Sequence, residues 1–137
     1  MILSPDVPVF RDDAGQTLGN PYHLSFLTAP AVNAGAIRSN EPHREPLIGS
    51  TLAVRIAKIL AVAAHHHCAH LVLGAWGCGV FRNDPDQVAG LFASALRDDS
   101  RFRNRFATVV FAVLDRTDSE EIIAPFRRHF EEAPNHV

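Results

Sequence analysis

The sequence predicts an α/β fold, and three observations support that class. Segments with the apolar spacing of helices alternate with short apolar runs, in the order helix–strand–helix–strand–helix from residue 48 onward. The two apolar runs, 71–73 and 109–114, flank a single helix, so a right-handed parallel crossover is expected. Glycines directly follow the first run, at the carboxyl end of a strand, where α/β sheets bind their ligands.

Length and composition narrow the class of protein. The 137 residues are expected to form a single domain, residues 1–137, and 47% hydrophobic residues are enough for a core. A net charge of −2 without a basic stripe argues against nucleic acid as a partner. The two cysteines form no disulfide framework, and no signal peptide or apolar run of membrane length is visible. We therefore expect a cytoplasmic protein that has no membrane partner.

The first third of the chain predicts extended structure followed by a loop. An apolar run at 7–10 and a strand at 22–28 are separated by a turn whose sequence is Asp-Asp-Ala-Gly. Residues 29–46 contain three prolines and Gly35, which predicts a long loop of the kind that is often functional.

The remaining elements follow from apolar spacing. A helix is expected from about Ile48 to His67, capped by Ser50 or Thr51, and then a central strand at 71–73 that is covered on both faces. A second helix is expected from Asp84, its cap, to Leu96, with proline at its first position. A strand at 109–114 and a helix at 120–131, which Pro125 should shorten or kink, complete the prediction.

The segment 71–84, Leu-Val-Leu-Gly-Ala-Trp-Gly-Cys-Gly-Val-Phe-Arg-Asn-Asp, carries the most information about function. Glycines let the backbone approach a phosphate closely, and the N-terminus of the following helix offers free N–H groups. The pattern matches neither the dinucleotide fingerprint nor the Walker loop. From spacing alone, a phosphate site and a simple strand-to-helix turn therefore remain equally open.

Other candidate groups have a structural interpretation that is favoured over a catalytic one. Cys78 lies near a helix start, where a thiolate is stabilised, but no histidine lies near it in sequence to act as a base. The histidines at 65–67 point in different directions and suit a helix C-terminus, so no metal site is predicted. Asn83 and Asp84 are expected to cap a helix, and Asp6 to form a turn.

Glycosidic chemistry would need a carboxyl group in the ligand cleft. The adjacent pairs Glu120–Glu121 and Glu131–Glu132 are expected to be solvated and remote from the glycine loop. We therefore assign no catalytic residue.

Three segments resemble one known family, the poly(ADP-ribose) glycohydrolases, especially the microbial type. Residues 74–85, Gly-Ala-Trp-Gly-Cys-Gly-Val-Phe-Arg-Asn-Asp-Pro, are similar to the family's diphosphate-binding loop. Residues 4–12 resemble the segment after its catalytic loop, and residues 25–35 its next strand and turn. The resemblance extends from Ile2 to about Phe130 and implies a macrodomain-like three-layer α/β/α sandwich that binds ADP-ribose or poly(ADP-ribose).

The resemblance also implies a set of ligand-binding residues. The loop would hold the diphosphate through backbone N–H groups, and Phe81 would pack against the ribose next to the scissile bond. No cofactor and no metal are implied. The implied contacts are Gly74, Trp76, Gly77, Cys78, Gly79, Val80 and Phe81.

One departure from the family puts catalysis in doubt. Family members carry a glycine-rich loop and a Gln-Glu-Glu catalytic motif upstream of Ser-Pro-Asp-Val, whereas this chain begins three residues before Ser4 and contains neither motif. The resemblance thus implies the C-terminal portion of a domain, without its N-terminal strands and catalytic loop. Such a chain is either a glycohydrolase that its N-terminal part completes or an inactive remnant that binds ADP-ribose. Exposed sheet surface is expected to promote self-association or binding of the complementary fragment.

Overall fold

The computed structural model describes residues 1–131, and these fall into two compact units. The first unit is Met1–Pro30, and the second begins at Ala31. Each unit is described by itself.

The first unit is a β-hairpin. Strands β1, Ile2–Arg11, and β2, Thr17–Thr28, pair antiparallel, which confirms the predicted turn between them. Within the turn, Gly15 adopts a φ of +79°, and the Gln16 N–H donates to a carboxylate oxygen of Asp12 at 2.8 Å. The register shifts between Ser4 and Val7, and Asp6 in that gap has a φ of 53°. Asp6 therefore shapes the backbone, in keeping with the structural role expected of it.

The second unit opens with helices where a loop was predicted. Helix α1 spans Ala34–Asn40, and a 3₁₀ helix spans Pro42–Leu47. The loop prediction for 29–46 is wrong because Asn33 starts α1, its side chain accepting the Ala36 N–H at 2.9 Å. Pro42 occupies the first position of the 3₁₀ helix, where a missing N–H costs nothing.

Helix α2 spans Ile48–His65, close to its predicted bounds. The predicted cap at Ser50 or Thr51 is wrong, since the 3₁₀ helix runs directly into α2 and leaves no extended residue at which a side chain could cap. The residue before the helix, Leu47, already has helical angles, and the Ser50 hydroxyl donates to its carbonyl at 3.1 Å.

The combined segment Pro42–His65 is long and apolar enough to cross a membrane, by length and composition alone. No apolar run of that length was expected from the sequence. Leu52, Ile56 and Leu60 on this helix have no exposed surface, because they form part of the core of the second unit. Burial of this stripe is what a core helix shows.

The remaining elements form the predicted crossover. Strands β3, His70–Leu73, and β4, Thr108–Phe111, pair in parallel, with helix α3, Pro85–Arg97, between them in sequence. Helix α3 begins as predicted, because the Asp84 side chain accepts the Asp86 N–H at 2.9 Å.

Helix α4 spans Ile123–Phe130 and so begins later than predicted. Pro125 lies in its first turn, where a helix needs no N–H from it. The Asp115 carboxylate caps this helix from outside by accepting the N–H groups of Ile122 and Ile123 at 2.7 and 2.9 Å. Hydrogen bonds from the Thr117 hydroxyl and N–H, and then from these two N–H groups, hold the pKa of Asp115 well below its usual range.

The core of the second unit lies between the helices and the inner face of the β3–β4 sheet. Phe111 of β4 is partly buried and packs against this core, with ring centroids 5.5 Å from Phe92, 5.2 Å from Phe126 and 4.3 Å from Phe130. These contacts hold α3 and α4 against the strand.

The α/β class is confirmed, but the expected cover on both faces of β3 is not found. The inner residues Leu71 and Leu73 pack on the core, whereas Val72 is 76% exposed and Val110 of β4 is 49% exposed. Among the described residues β3 pairs with β4 alone, and helices cover one face of that pair. Elements beyond the described ones would be needed to cover the other face.

Candidate functional site

The glycine loop, residues 74–83, begins where β3 ends, as predicted. Two tight turns shape it: the Cys78 N–H donates to the Ala75 carbonyl at 3.0 Å, and the Arg82 N–H to the Gly79 carbonyl at 2.9 Å. The Asn83 N–H then donates back to the Gly77 carbonyl at 3.1 Å. The chain thus folds on itself at the carboxyl end of the strand before α3 starts.

Gly77 is required by the structure of the chain itself. Its φ is +77°, and a Cβ there would lie 2.5 Å from the Ala31 side chain and 2.5 Å from the Asn83 amide nitrogen. Any larger residue would be strained and would clash. At this position the simple turn, one of the two alternatives left open by the sequence, explains the glycine fully.

Neither the backbone conformation nor the packing of the chain requires glycine at position 79. Its φ lies outside the left-handed region, and a Cβ built on it meets no atom within 4 Å. The residue is exposed, and so is Val80 beside it, at 91%. A glycine that the fold does not need is what close approach of a ligand to the backbone requires.

The exposed part of the loop also presents unused hydrogen-bond donors. The N–H groups of Gly79, Val80 and Phe81 donate to no acceptor within residues 1–131. Consecutive free N–H groups form a concave site for an anion, and they need no cationic side chain to do so. The loop can therefore hold a phosphate oxygen by its backbone alone.

The N-terminus of α3 offers fewer free groups for binding an anion than the sequence suggested. Its first-turn N–H at Asp86 is already taken by Asp84, and both carboxylates place negative charge there. Arg128 and His129 then bind Asp86 at 2.8 and 3.2 Å. Because these carboxylates occupy the helix N-terminus, the free loop amides, rather than the helix end, are the groups available to an anion.

The predicted contact residues divide into two sets. Gly79 and Val80 are accessible, and Phe81 is partly buried, whereas the Cys78 side chain is buried and Trp76 packs edge-on to Phe92 at 6.5 Å. Gly74 and Gly77 serve the fold, since a Cβ on Gly74 would lie 3.3 Å from the Ala112 carbonyl. Of this second set, Gly74 and Gly77 could contact a ligand only through the backbone.

Asn83 was predicted to cap a helix, and that prediction is wrong. The side chain is buried, with 2% of the residue exposed, and its Nδ2 donates to the Val32 carbonyl at 2.7 Å and to the Gly77 carbonyl at 2.9 Å. Its Oδ1 has no partner among the described atoms. Asn83 therefore fastens the glycine loop to the segment before α1, a contact between residues 51 positions apart that local sequence signals do not reveal.

Two further bonds fasten the same loop to α1. The Gly35 N–H donates to the Phe81 carbonyl at 2.9 Å, and the Arg38 guanidinium donates to the Arg82 carbonyl at 2.9 Å. Gly35 is also needed for space, since a Cβ there would lie 3.3 Å from the Arg82 side chain. The segment 31–38, first interpreted as loop, thus supports the site.

Cys78 does not have the environment of a nucleophile. Burial, and secondarily the negative charge of Asp84, raises the pKa of its thiol to about 11. A nearby helix start favours a thiolate, but the apolar surroundings and the carboxylate outweigh that effect, in keeping with the structural role favoured for Cys78. The thiol stays protonated at neutral pH.

The other candidate groups lie in structural contacts. Within residues 1–131 no group of three or more histidine, cysteine or carboxylate side chains is arranged to hold a metal ion. Glu120 pairs with Arg127 at 2.5 Å, and Glu121 accepts the Ser119 hydroxyl. Glu131 lies 3.6 Å from Arg127, and Glu132 lies outside the described residues.

Solved structures similar to the chain are poly(ADP-ribose) glycohydrolases. The T267K mutant from Deinococcus radiodurans, in complex with ADP-ribose, is 47% identical, with a TM-score of 0.88 over 94% of this chain and 51% of that one. The protein from Thermomonospora curvata is 53% identical, with a TM-score of 0.84 over 93% of this chain and 46% of that one. No protein-family model matches the chain, and no curated protein matches it either.

The parallel strands, the glycine loop and the helix that follows it define a macrodomain-like α/β protein. The identity and structural agreement just described point to a particular group of these: over more than nine tenths of its length the chain is similar to bacterial poly(ADP-ribose) glycohydrolases. It spans about half the length of the solved relatives that it matches.

Replacing Asn83 by alanine is expected to destabilise the protein by about 1–3 kcal/mol, since the buried Val32 carbonyl loses its side-chain donor and the Gly77 carbonyl loses one of its two donors. Urea unfolding of the wild type and the variant measures the free energy difference. Asn40→Ala, at the exposed end of α1, is the matched control and should change the free energy of unfolding by less than about 0.5 kcal/mol. Equal stability of the two variants would contradict the proposed fastening of the loop.

Alkylation should distinguish the two cysteines. A rise in thiol pKa from 9.0 to about 11 lowers the thiolate fraction of Cys78 roughly a hundredfold near pH 8, so Cys68 should react first. Because burial favours the neutral thiol, its contribution to stability is complete below pH 9.0 and is lost as pH rises through about 11. Iodoacetamide labelling followed by mass spectrometry checks the order, and rapid labelling of Cys78 at pH 7 would show that its thiolate is accessible.

Proposed function

We propose that the chain binds ADP-ribose through the loop Gly74–Phe81, and that it hydrolyses the glycosidic bonds of poly(ADP-ribose) when the rest of the glycohydrolase fold completes it. The observation that supports binding most directly is the exposed stretch from Gly79 to Phe81. Three consecutive N–H groups there lack an acceptor in the described part of the chain, and the first belongs to a glycine that the fold does not require.

The chemistry of the ligand fits this stretch. The diphosphate of ADP-ribose presents several anionic oxygens in a short span, which suits a row of backbone donors. Phe81, partly buried with its carbonyl fixed by Gly35, offers a ring edge or face to the adjoining ribose. Solved relatives from Deinococcus radiodurans are complexes with ADP-ribose, which supports the same ligand class here.

A second candidate function is binding without catalysis. The sequence contains no Gln-Glu-Glu motif, and the carboxylates nearest the loop in sequence already hold other groups. Asp84 caps α3, and Asp86 binds Arg128. A chain with this composition would retain the phosphate loop and lack a group to protonate the leaving ribose oxygen.

The remaining expectations about partners and location are also proposals. The net charge of −2 supports a protein that does not bind nucleic acid, and we propose a cytoplasmic location without a membrane partner. Self-association or binding of a complementary N-terminal fragment is proposed on the basis of uncovered sheet surface.

Gly79→Val should weaken ADP-ribose binding at least about tenfold, because the added side chain would occupy the space of the diphosphate. Isothermal titration calorimetry with ADP-ribose gives the affinity. Gly19→Val is the matched control, since a Cβ at Gly19 in β2 likewise meets no atom within 4 Å. Cys78→Ala should have a smaller effect than Gly79→Val, because its side chain points into the core. Similar small losses for all three variants would leave the loop as a turn only.

The chain by itself should release ADP-ribose from labelled poly(ADP-ribose) at a rate lower than that of the complete Thermomonospora curvata protein by a hundredfold or more, roughly the contribution of general acid catalysis. A time course with both proteins at equal concentration measures the difference. Turnover comparable to that of the complete protein would show that another carboxyl group acts as the acid. This outcome is independent of the binding experiment, since a chain that binds ADP-ribose need not cleave it.

A further inference from the structure

Arg82 is the one basic residue of the glycine loop, residues 74–83, and it is exposed. Within residues 1–131 its guanidinium makes no hydrogen bond and no ion pair. Its aliphatic stem packs on α1, since a Cβ built on Gly35 would lie 3.3 Å from the Arg82 Cδ and 3.6 Å from its Cγ. The stem is thus held against the protein, and the charged end remains available to a ligand.

The backbone of Arg82 adopts a conformation that favours glycine. Its φ is 53°, in the left-handed region, where the Cβ of an L-residue is crowded. The surrounding chain fixes this conformation, because the Arg82 N–H donates to the Gly79 carbonyl at 2.9 Å and the Arg82 carbonyl accepts the Arg38 guanidinium at 2.9 Å. The fold uses the backbone of Arg82 in this way and leaves its guanidinium without a partner in the described part of the chain. Strained residues of this kind cluster at ligand sites.

The same turn places this cation next to the free donors of the loop. Gly79 and Arg82 are the first and fourth residues of the turn, so their Cα atoms lie within about 7 Å of each other. The three unused N–H groups, at positions 79–81, belong to that turn. The long Arg82 side chain can therefore reach an anion that these N–H groups hold.

An anion at the loop would meet negative charge from the residue that caps α3. Burial, and then the charge of Asp84, raises the pKa of the Cys78 thiol, so the field of this carboxylate extends into the loop. Asp84 has no cationic partner within residues 1–131. Arg38, the other arginine in contact with the loop, is already paired with Glu45 at 2.8 Å. Arg82 is therefore the cation that is available to offset the charge of a diphosphate.

We propose that the Arg82 guanidinium binds the diphosphate of ADP-ribose together with the N–H groups at 79–81, and so makes the site selective for a ligand with two phosphate groups. The inference rests on the proposed binding function and adds to it a side chain beyond the loop residues 74–81. A planar guanidinium donates to two phosphate oxygens at once and carries a full charge, which the backbone donors lack. With the amides on one phosphate and Arg82 on the other, a monophosphate would lose the charged contact.

Arg82→Gly tests the proposal, because it removes the guanidinium and relieves the backbone at the same time. ADP-ribose should bind the variant about tenfold or more weakly than the wild-type chain, since a charge-assisted contact is lost. The wild type should bind ADP more tightly than AMP, and the variant should lose most of that preference. The Tm of the variant should equal or exceed that of the wild type, because glycine fits a φ of 53°. Isothermal titration calorimetry with ADP-ribose, ADP and AMP measures binding, and a thermal melt measures Tm.

Arg103→Gln is the matched control for lost charge. Arg103 is an exposed arginine before the amino end of β4, whereas the loop follows the carboxyl end of β3, so this change should alter the affinity by less than about twofold. Arg82→Lys keeps the charge without the planar fork and should bind ADP-ribose with an affinity between those of the wild type and Arg82→Gly.

Two results for Arg82→Gly would overturn the proposal. In the first, the wild type binds ADP-ribose and the variant binds it equally well, which removes this inference and leaves the proposed function standing. In the second, the variant loses affinity and Tm together, which assigns Arg82 a structural role. A wild-type chain that does not bind ADP-ribose would overturn the proposed function and this inference with it.

Discussion

The buried amide of Asn83 is the interaction on which the site depends. One side chain donates to the carbonyl of Gly77 in the loop and to the carbonyl of Val32 before α1, at 2.9 and 2.7 Å. A buried carbonyl without a donor is costly, so both segments are held in one relative position. The absence of a Cβ at Gly77 makes room for this amide, because a side chain there would reach to 2.5 Å from its nitrogen.

This arrangement explains why the loop can present its donors outward. The bonds of Asn83, Gly35 and Arg38 satisfy carbonyl groups at both ends of the loop, and none of them uses the N–H groups of Gly79, Val80 or Phe81. The contacts of the loop with the segment 31–38 therefore use its acceptors and the Asn83 amide, and the three N–H groups from Gly79 to Phe81 stay free. A site of this kind is formed before the ligand arrives, which lowers the ordering cost of binding an anion.

The sequence predicted those parts of the fold that depend on nearby residues. Apolar spacing gave α2 and α3, and the Asp-Pro pair gave the start of α3 correctly, because capping acts within one turn. Some of the failures were local, since Asn33 caps α1 through an N–H only three residues away. Others involve partners distant in sequence. Asn83 bonds a residue 51 positions away, and Asp115 caps α4 from seven positions before it, where no local pattern marks the contact.

The glycines of the site show the same limit of prediction from sequence. Sequence spacing marked Gly74, Gly77 and Gly79 alike and could not tell a turn from a phosphate loop. The structure separates them, since Gly77 and Gly74 face backbone or side-chain atoms of the chain, and Gly79 faces none within 4 Å.

The alternation of buried and exposed side chains along β3 and β4 could likewise not be predicted from runs that are apolar throughout. It follows from which elements surround the sheet, and the described residues supply helices to one face. The glycine loop and the bare sheet face both involve β3. The loop follows the carboxyl end of this strand, and the outer face of the same strand is exposed.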